Sequence, residues 1–110
     1  MDTEIIIAPG NLEAEAEIIW QAVCQILGLD PGCIKRPVIK PATDRELEEF
    51  LDAQGAALGP DRRTIFLSSE SPVYRGHLAH EMAHYLRWHL AGYEDSEYWP
   101  QKVDEEIGRI

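Results

Sequence analysis

The sequence predicts an α+β domain in which helices cover a short sheet. Three apolar segments with strand-like composition alternate with segments of helical periodicity, and two successive helices end the chain. The resulting order of elements is β-α-β-α-β-α-α. The length of 110 residues is the usual size of one domain, so we expect a single domain over residues 1–110.

The first half of the chain supplies two strands and two helices. Residues 4–8 contain three consecutive isoleucines followed by Pro-Gly, which predicts a buried strand. A helix over residues 11–27 comes next, with Gly28 as its end. Residues 37–42 contain two prolines and predict a short strand at a sheet edge. The Thr-Asp-Arg-Glu sequence at 43–46 has the spacing of a capping box and begins the second helix.

The second half of the chain predicts a strand followed by two helices. Residues 55–61 predict a loop, and the Thr-Ile-Phe-Leu segment within residues 63–68 predicts the third strand. A long helix follows over residues 72–91, where a Ser-Pro pair at 71–72 fits the first positions and a glycine follows the last one. After an acidic and aromatic stretch, residues 100–110 predict the last helix.

Composition and charge disfavour several classes of function. Hydrophobic residues make up 45% and charged residues 27%, an ordinary globular mixture. The net charge of −10 argues against binding to nucleic acid or to an anionic membrane, since both bind basic surfaces. The sequence has neither an apolar run of about 18 residues nor the positive start of a secretion signal, so we expect a cytoplasmic protein. Cys24 and Cys33 are predicted to be reduced and structural.

The pattern with the clearest chemistry is His80-Glu81-Met82-Ala83-His84, an H-E-x-x-H sequence inside the long helix. Helix positions i and i+4 lie on one face roughly 5–6 Å apart, so both imidazoles can reach one ion. Catalytic zinc takes three protein ligands and keeps a fourth position for water. Glu81 is the acidic group that could accept a proton from that water. The motif therefore predicts a zinc hydrolase.

A third ligand has to come from elsewhere in the chain. Six residues after His84, where a metzincin has its third histidine, this chain has Leu90, so that spacing is absent. A glutamate on a following helix is the other common solution, and residues 104–106 read Asp-Glu-Glu. Helical periodicity favours Glu106, which borders an inward stripe that includes Val103.

The strand at 64–68, the H-E-x-x-H helix and an acidic helix about twenty residues later resemble the gluzincin clan of metallopeptidases, in particular its small thermolysin-like and ImmA/IrrE-like members. The resemblance implies a zincin-like domain whose third ligand is a glutamate followed three residues later by a small residue. Glu105 and Gly108 fit that pattern. Where the clan often has Asp or Asn, this chain has Arg109. We therefore predict Glu105 as the third ligand, narrowly ahead of Glu106, with Asp104 as a weaker candidate.

By the same resemblance, we expect a zinc metallopeptidase that acts on an extended peptide held along the strand at 64–68. Glu81 would be the general base, while His77 and His89 are expected to be structural. Two other hypotheses remain. The chain could be a latent or non-catalytic zinc-fold module that binds a regulatory protein partner, or a metal-free domain whose motif is accidental.

Overall fold

Seven elements follow one another in the computed structural model, which describes residues 9–68, 74–92 and 98–107. They are α1 Pro9–Leu27, β1 Val38–Pro41, α2 Asp44–Leu51, β2 Ala56–Leu58, β3 Thr64–Leu67, α3 Tyr74–Ala91 and α4 Tyr98–Glu106. The described residues thus form a small α+β domain with four helices and a three-stranded sheet, which confirms the predicted class. The predicted strand at 4–8, the Ser-Pro start of the long helix at 71–72 and residues 108–110 lie outside the described residues.

The sheet has the strand order β1-β3-β2. β1 runs parallel to β3, with Val38 opposite Thr64, and β2 runs antiparallel to β3, with Leu58 opposite Ile65. Among the strands that the structure describes, the two-proline strand therefore lies at an edge, as predicted. The expectation that residues 64–68 form the edge that holds a substrate is wrong, because β3 is paired on both sides. Within the described sheet, β2 is the edge on the side of the motif helix.

The loop predicted at residues 55–61 is also wrong at its beginning. Ala56–Leu58 forms β2, a strand of three residues that includes two alanines and therefore carries almost no strand propensity of its own. Two backbone hydrogen bonds fix it in place beyond the ladder. The amide of Ser68 donates to the carbonyl of Gly55, and the amide of Ala56 donates to that of Gln54. Tertiary contacts thus outweigh local preference here.

The predicted helix boundaries are largely confirmed. Gly28 has a φ of +72° directly after α1, the left-handed geometry that ends a helix. At the start of α2, the hydroxyl of Thr43 accepts from the amide of Glu46 at 3.0 Å, and the carboxylate of Glu46 accepts from the amide of Thr43 at 2.9 Å. This is the predicted capping box. The amide of Gly92 closes the end of α3 by donating to the carbonyl of Trp88.

The hydrophobic core lies between α1, α3, α4 and β3. Its largest fully buried side chains include Trp20, Val23, Ile65, Leu78, Met82, Leu86 and Val103. Cys24 is buried in the same core, and this burial raises the pKa of its thiol to about 11. Cys24 and Cys33 are both free, in line with the predicted reduced state. Among the described residues, no helix combines the length and apolar character that a membrane crossing requires.

Candidate metal centre

Helix α3 brings the motif side chains together because one of its faces is packed in the hydrophobic core. Leu78, Ala79, Met82 and Ala83 are completely buried, so the helix cannot rotate without exposing them. His80, Glu81 and His84 are consequently held at the border between core and surface, where each is half-buried. The two imidazole rings lie 5.0 Å apart, centroid to centroid.

These three residues form a group of possible metal ligands. One nitrogen of each histidine and one carboxylate oxygen of Glu81 all lie within 4.8 Å of one another. Imidazole nitrogens with a carboxylate are ligands that suit zinc. The predicted meeting of His80 and His84 on one face, with Glu81 beside them, is thus what the fold produces.

Glu81 is positioned by the edge strand. The backbone amide of Leu58 in β2 donates to Oε1 of Glu81 at 3.1 Å. This bond fixes the direction of a carboxylate that a helix alone would leave free to rotate about its side-chain torsions. It also ties α3 to the sheet at the level of the motif.

A cleft of about 230 Å³ opens between β2 and α3. Its lining consists of Ala53, Ala56, Ala57, Leu58, Glu81 and His84. Three of these six residues are alanines, so the wall opposite the motif is formed mostly by backbone and methyl groups. A wall of this kind can accept an extended chain without being blocked by its own side chains.

His80 has a carboxylate partner on the last helix. Its Nδ1 atom lies 2.9 Å from Oδ2 and 3.2 Å from Oδ1 of Asp104. With the proton on Nδ1 donated to this carboxylate, Nε2 carries the lone pair that a metal ion needs. Asp104 therefore fixes the orientation and tautomer of His80, whereas the sequence had indicated it only as a weaker candidate ligand.

The two favoured candidates for the third ligand lie elsewhere on α4. Glu105 and Glu106 line a separate pocket with Tyr98, Gln101 and Lys102. Neither belongs to the group of ligand atoms formed by His80, Glu81 and His84 within the described residues. Successive side chains of an α-helix point in directions that differ by about 100° around the helix axis. Since Asp104 points to His80, its two neighbours Glu105 and Glu106 point in other directions. The role of Glu105 or Glu106 as a ligand stays a prediction.

The other two histidines, His77 and His89, lie outside the ligand group. His77 packs against Gly55, where a β-carbon would come within 2.6 Å of its ring. His89 donates from Nε2 to the carbonyl of Arg62 at 2.7 Å. Both contacts join α3 to the segment around β2, which agrees with the structural roles expected for these residues.

Sequence reasoning missed two parts of the site, the Leu58 amide and the Asp104 carboxylate. A backbone amide carries no sequence signature, and β2 itself was not recognised. Asp104 directly follows Val103, whose inward position was recognised and could have indicated that Asp104 borders the same face. The chain matches no protein-family model, and neither a characterised protein nor a solved structure is significantly similar to it.

Proposed function

We propose that this chain is a zinc-dependent metallopeptidase with a minimal, gluzincin-like, zincin-type domain. The observation that carries the proposal is the group formed by His80, Glu81 and His84, whose ligand atoms lie within 4.8 Å of one another beside an open cleft. The coupling of His80 to Asp104 supports it, because a carboxylate on the second ring nitrogen is the usual companion of a metal-binding histidine.

His80 and His84 would hold the ion through ring nitrogens, with Glu105 or Glu106 proposed as the third ligand. When bound, zinc supplies polarisation of a carbonyl group and a water whose pKa is lowered to about 7. In the proposed reaction the carboxylate of Glu81 accepts a proton from the attacking water and delivers it to the leaving amine. The amide of Leu58 holds that carboxylate in position.

The cleft favours an extended peptide as the substrate. β2 is the end strand of the described sheet, and its backbone and alanine side chains form one wall of the cleft. Extended peptides bind such edges through main-chain contacts. The substrate-holding edge that the resemblance implied for β3 is thus proposed for β2 instead.

The test combines metal analysis with one isosteric substitution. Protein purified without chelator should contain about one zinc per chain in wild type and in Glu81→Gln. Wild type should cleave a random peptide library, whereas Glu81→Gln should be slower by about 100-fold to 10,000-fold, because an amide cannot accept the proton. Glu48→Gln, an exposed change on α2, is the matched control and should behave like wild type.

Three results would decide between the hypotheses. If wild type, Glu81→Gln and Glu48→Gln all contain zinc but none of them cleaves peptides, the hypothesis of a non-catalytic binding module is favoured. Absence of zinc from wild type would make the motif accidental. Equal cleavage by wild type and Glu81→Gln would remove Glu81 from the reaction.

A further inference from the structure

Phe66 lies on the face of the sheet that is opposite to the hydrophobic core. Its neighbours in β3, Ile65 and Leu67, are buried in the core, and successive side chains of a strand point to opposite faces of a sheet. Phe66 is only half-buried, although β3 is the central strand of the described sheet. The residues that the structure describes thus leave this second face of the sheet partly uncovered.

An apolar groove, here called the α2 groove, lies on this face between Phe66 and α2. Its volume is about 240 Å³, and seven of its eight lining residues are apolar. Leu47 is completely buried there, whereas Phe50, three residues later, is 77% exposed. Contiguous apolar surface with an exposed aromatic side chain marks sites that bind another molecule. The groove is smaller than the roughly 300–1,000 Å³ of small-molecule sites, which favours a protein side chain as its occupant.

The surface around the α2 groove is acidic. Helix α2 and its C-cap residue Asp52 contain five acids and one arginine, a net charge of −4 within the −10 of the whole chain. That arginine, Arg45, forms an ion pair with Glu49 at 3.0 Å. On the sheet side, Lys40 and Asp61 interact and offset each other's charge. A partner with positive charge is therefore attracted to this surface, and an acidic one is repelled.

The neighbouring edge strand β1 disfavours binding by strand addition. The amides of Val38 and Ala42 donate to carbonyls of β3, so the residues between them that point outwards are Ile39 and Pro41. Proline has no amide, and the outer edge of β1 therefore offers at most one backbone donor. An extended segment would find few partners there. A helix that inserts side chains into the groove does not need them.

We propose that the α2 groove is a docking site for a basic amphipathic helix of a partner protein. The apolar side chains of that helix enter the groove against Leu47, Phe50 and Phe66, and its flanking Lys or Arg residues face the acids of α2. A second copy of this chain is a poorer occupant, because two acidic surfaces repel each other. The groove and the motif helix lie on opposite faces of the sheet, so docking does not depend on the proposed peptidase activity.

The first experiment uses fluorescent amphipathic peptides of about 14 residues, or four helical turns, as probes. Their apolar residues are placed at i, i+3, i+4 and i+7, and three series carry Lys, Gln or Glu at the other positions. Wild type should bind the Lys series about 10-fold more tightly than the Gln series and should not bind the Glu series. Replacement of the apolar residues of the Lys series by alanine should weaken binding by about 10-fold or more. Fluorescence anisotropy measures the affinities.

Two pairs of variants locate the binding surface. Phe50→Ser should weaken binding of the Lys series by about 10-fold or more, whereas Ile18→Ser, at a position of α1 that is 68% exposed, should bind like wild type. Glu48→Lys should weaken binding of the Lys series and permit binding of the Glu series. Asp30→Lys makes the same change of charge at an exposed position after α1 and should affect both series less.

Four results would overturn the proposal. Failure of the Lys series to bind would exclude a basic helix as the occupant. Equal affinity of Phe50→Ser and Ile18→Ser for that series would show only a general attraction to an acidic protein. Sedimentation that reveals a dimer of wild type but not of Phe50→Ser would assign the groove to a second copy. Binding that requires deletion of residues 1–8 would assign it to the chain's own N-terminal segment. None of these measurements depends on zinc or on peptide cleavage, so they stand apart from the test of the peptidase.

Discussion

The Nδ1 atom of His80 lies 2.9 Å from Oδ2 of Asp104, so the last helix reaches the motif helix at the ring of its first histidine. The side chain of His80 is 28% exposed and that of Asp104 49% exposed. The contact is therefore too exposed to stabilise the fold strongly, and its main consequence is the orientation of the ring. Metal affinity is the property that should depend on it.

Asp104→Asn should weaken zinc binding by about 10-fold to 100-fold, because the amide holds the Nδ1 proton less strongly than the carboxylate does. The melting temperature without metal should hardly change. Competition with a chromogenic chelator measures the affinity. Asp30→Asn, an exposed change after α1, controls for the loss of one negative charge. Equal zinc affinity in Asp104→Asn and wild type would contradict the role assigned to Asp104.

Glu105→Gln and Glu106→Gln test the predicted third ligand. Removal of a true ligand should lower zinc affinity by more than about 100-fold, beyond the loss expected for Asp104→Asn. The other glutamate should then be replaceable without effect on zinc affinity, because it would not contact the ion. The same chelator competition ranks the two variants. Retention of wild-type affinity in both would exclude both glutamates as ligands.

Gly55→Ala should lower the free energy of unfolding by about 1–3 kcal/mol. Gly55 has a φ of +80°, and a β-carbon there would lie 2.6 Å from the His77 ring. Gly76→Ala is the matched control in the first turn of α3, where a β-carbon meets nothing within 4 Å. It should stabilise the protein by about 0.5–1 kcal/mol, as alanine generally does in a helix. Urea denaturation of both variants measures the difference, and equal stabilities would refute the close packing of His77 on Gly55.

Glu15 should make stability depend on pH. Its carboxylate accepts from Nε and Nη2 of Arg75, both at 2.7 Å, and from the Tyr74 hydroxyl at 2.9 Å. The bond from Arg75 is the main reason that the pKa of Glu15 lies below its ordinary value of 4.5. A lowered pKa in the folded state stabilises the protein above pH 4.5, and this stabilisation is lost as the pH falls through the folded-state pKa.

Glu15→Gln should therefore have a lower free energy of unfolding than wild type at pH 7, by about 0.2–1 kcal/mol because the ion pair is largely exposed. This difference between the two proteins should shrink towards pH 3. Urea denaturation at both pH values measures it, and Glu48→Gln should show no comparable gap at either pH. An equal difference in the free energy of unfolding at pH 7 and pH 3 would mean that the charge of Glu15 does not stabilise the fold.

The sequence predicted those parts of the fold and site that depend on local patterns. The capping box of Thr43 and Glu46 predicts the start of α2. The spacing of His80 and His84 is enough to predict that they share one face of a helix. β2 was missed because pairing with β3, not composition, makes Ala56–Leu58 a strand. The contact between Asp104 and His80 was not predicted, because it depends on the rotation of α4 about its own axis. The packing of Val103 in the core determines that rotation, and the sequence does not specify this packing.

The β2–β3 hairpin meets α3 at three successive levels, with Gly55 beside His77, Leu58 on Glu81 and Arg62 over Trp88. The last helix meets α3 at a different place, the ring of His80. The hairpin and the last helix thus position different side chains of the motif, the hairpin that of Glu81 and the last helix that of His80. A change in the hairpin can accordingly displace the Glu81 carboxylate while the ring of His80 keeps its own partner.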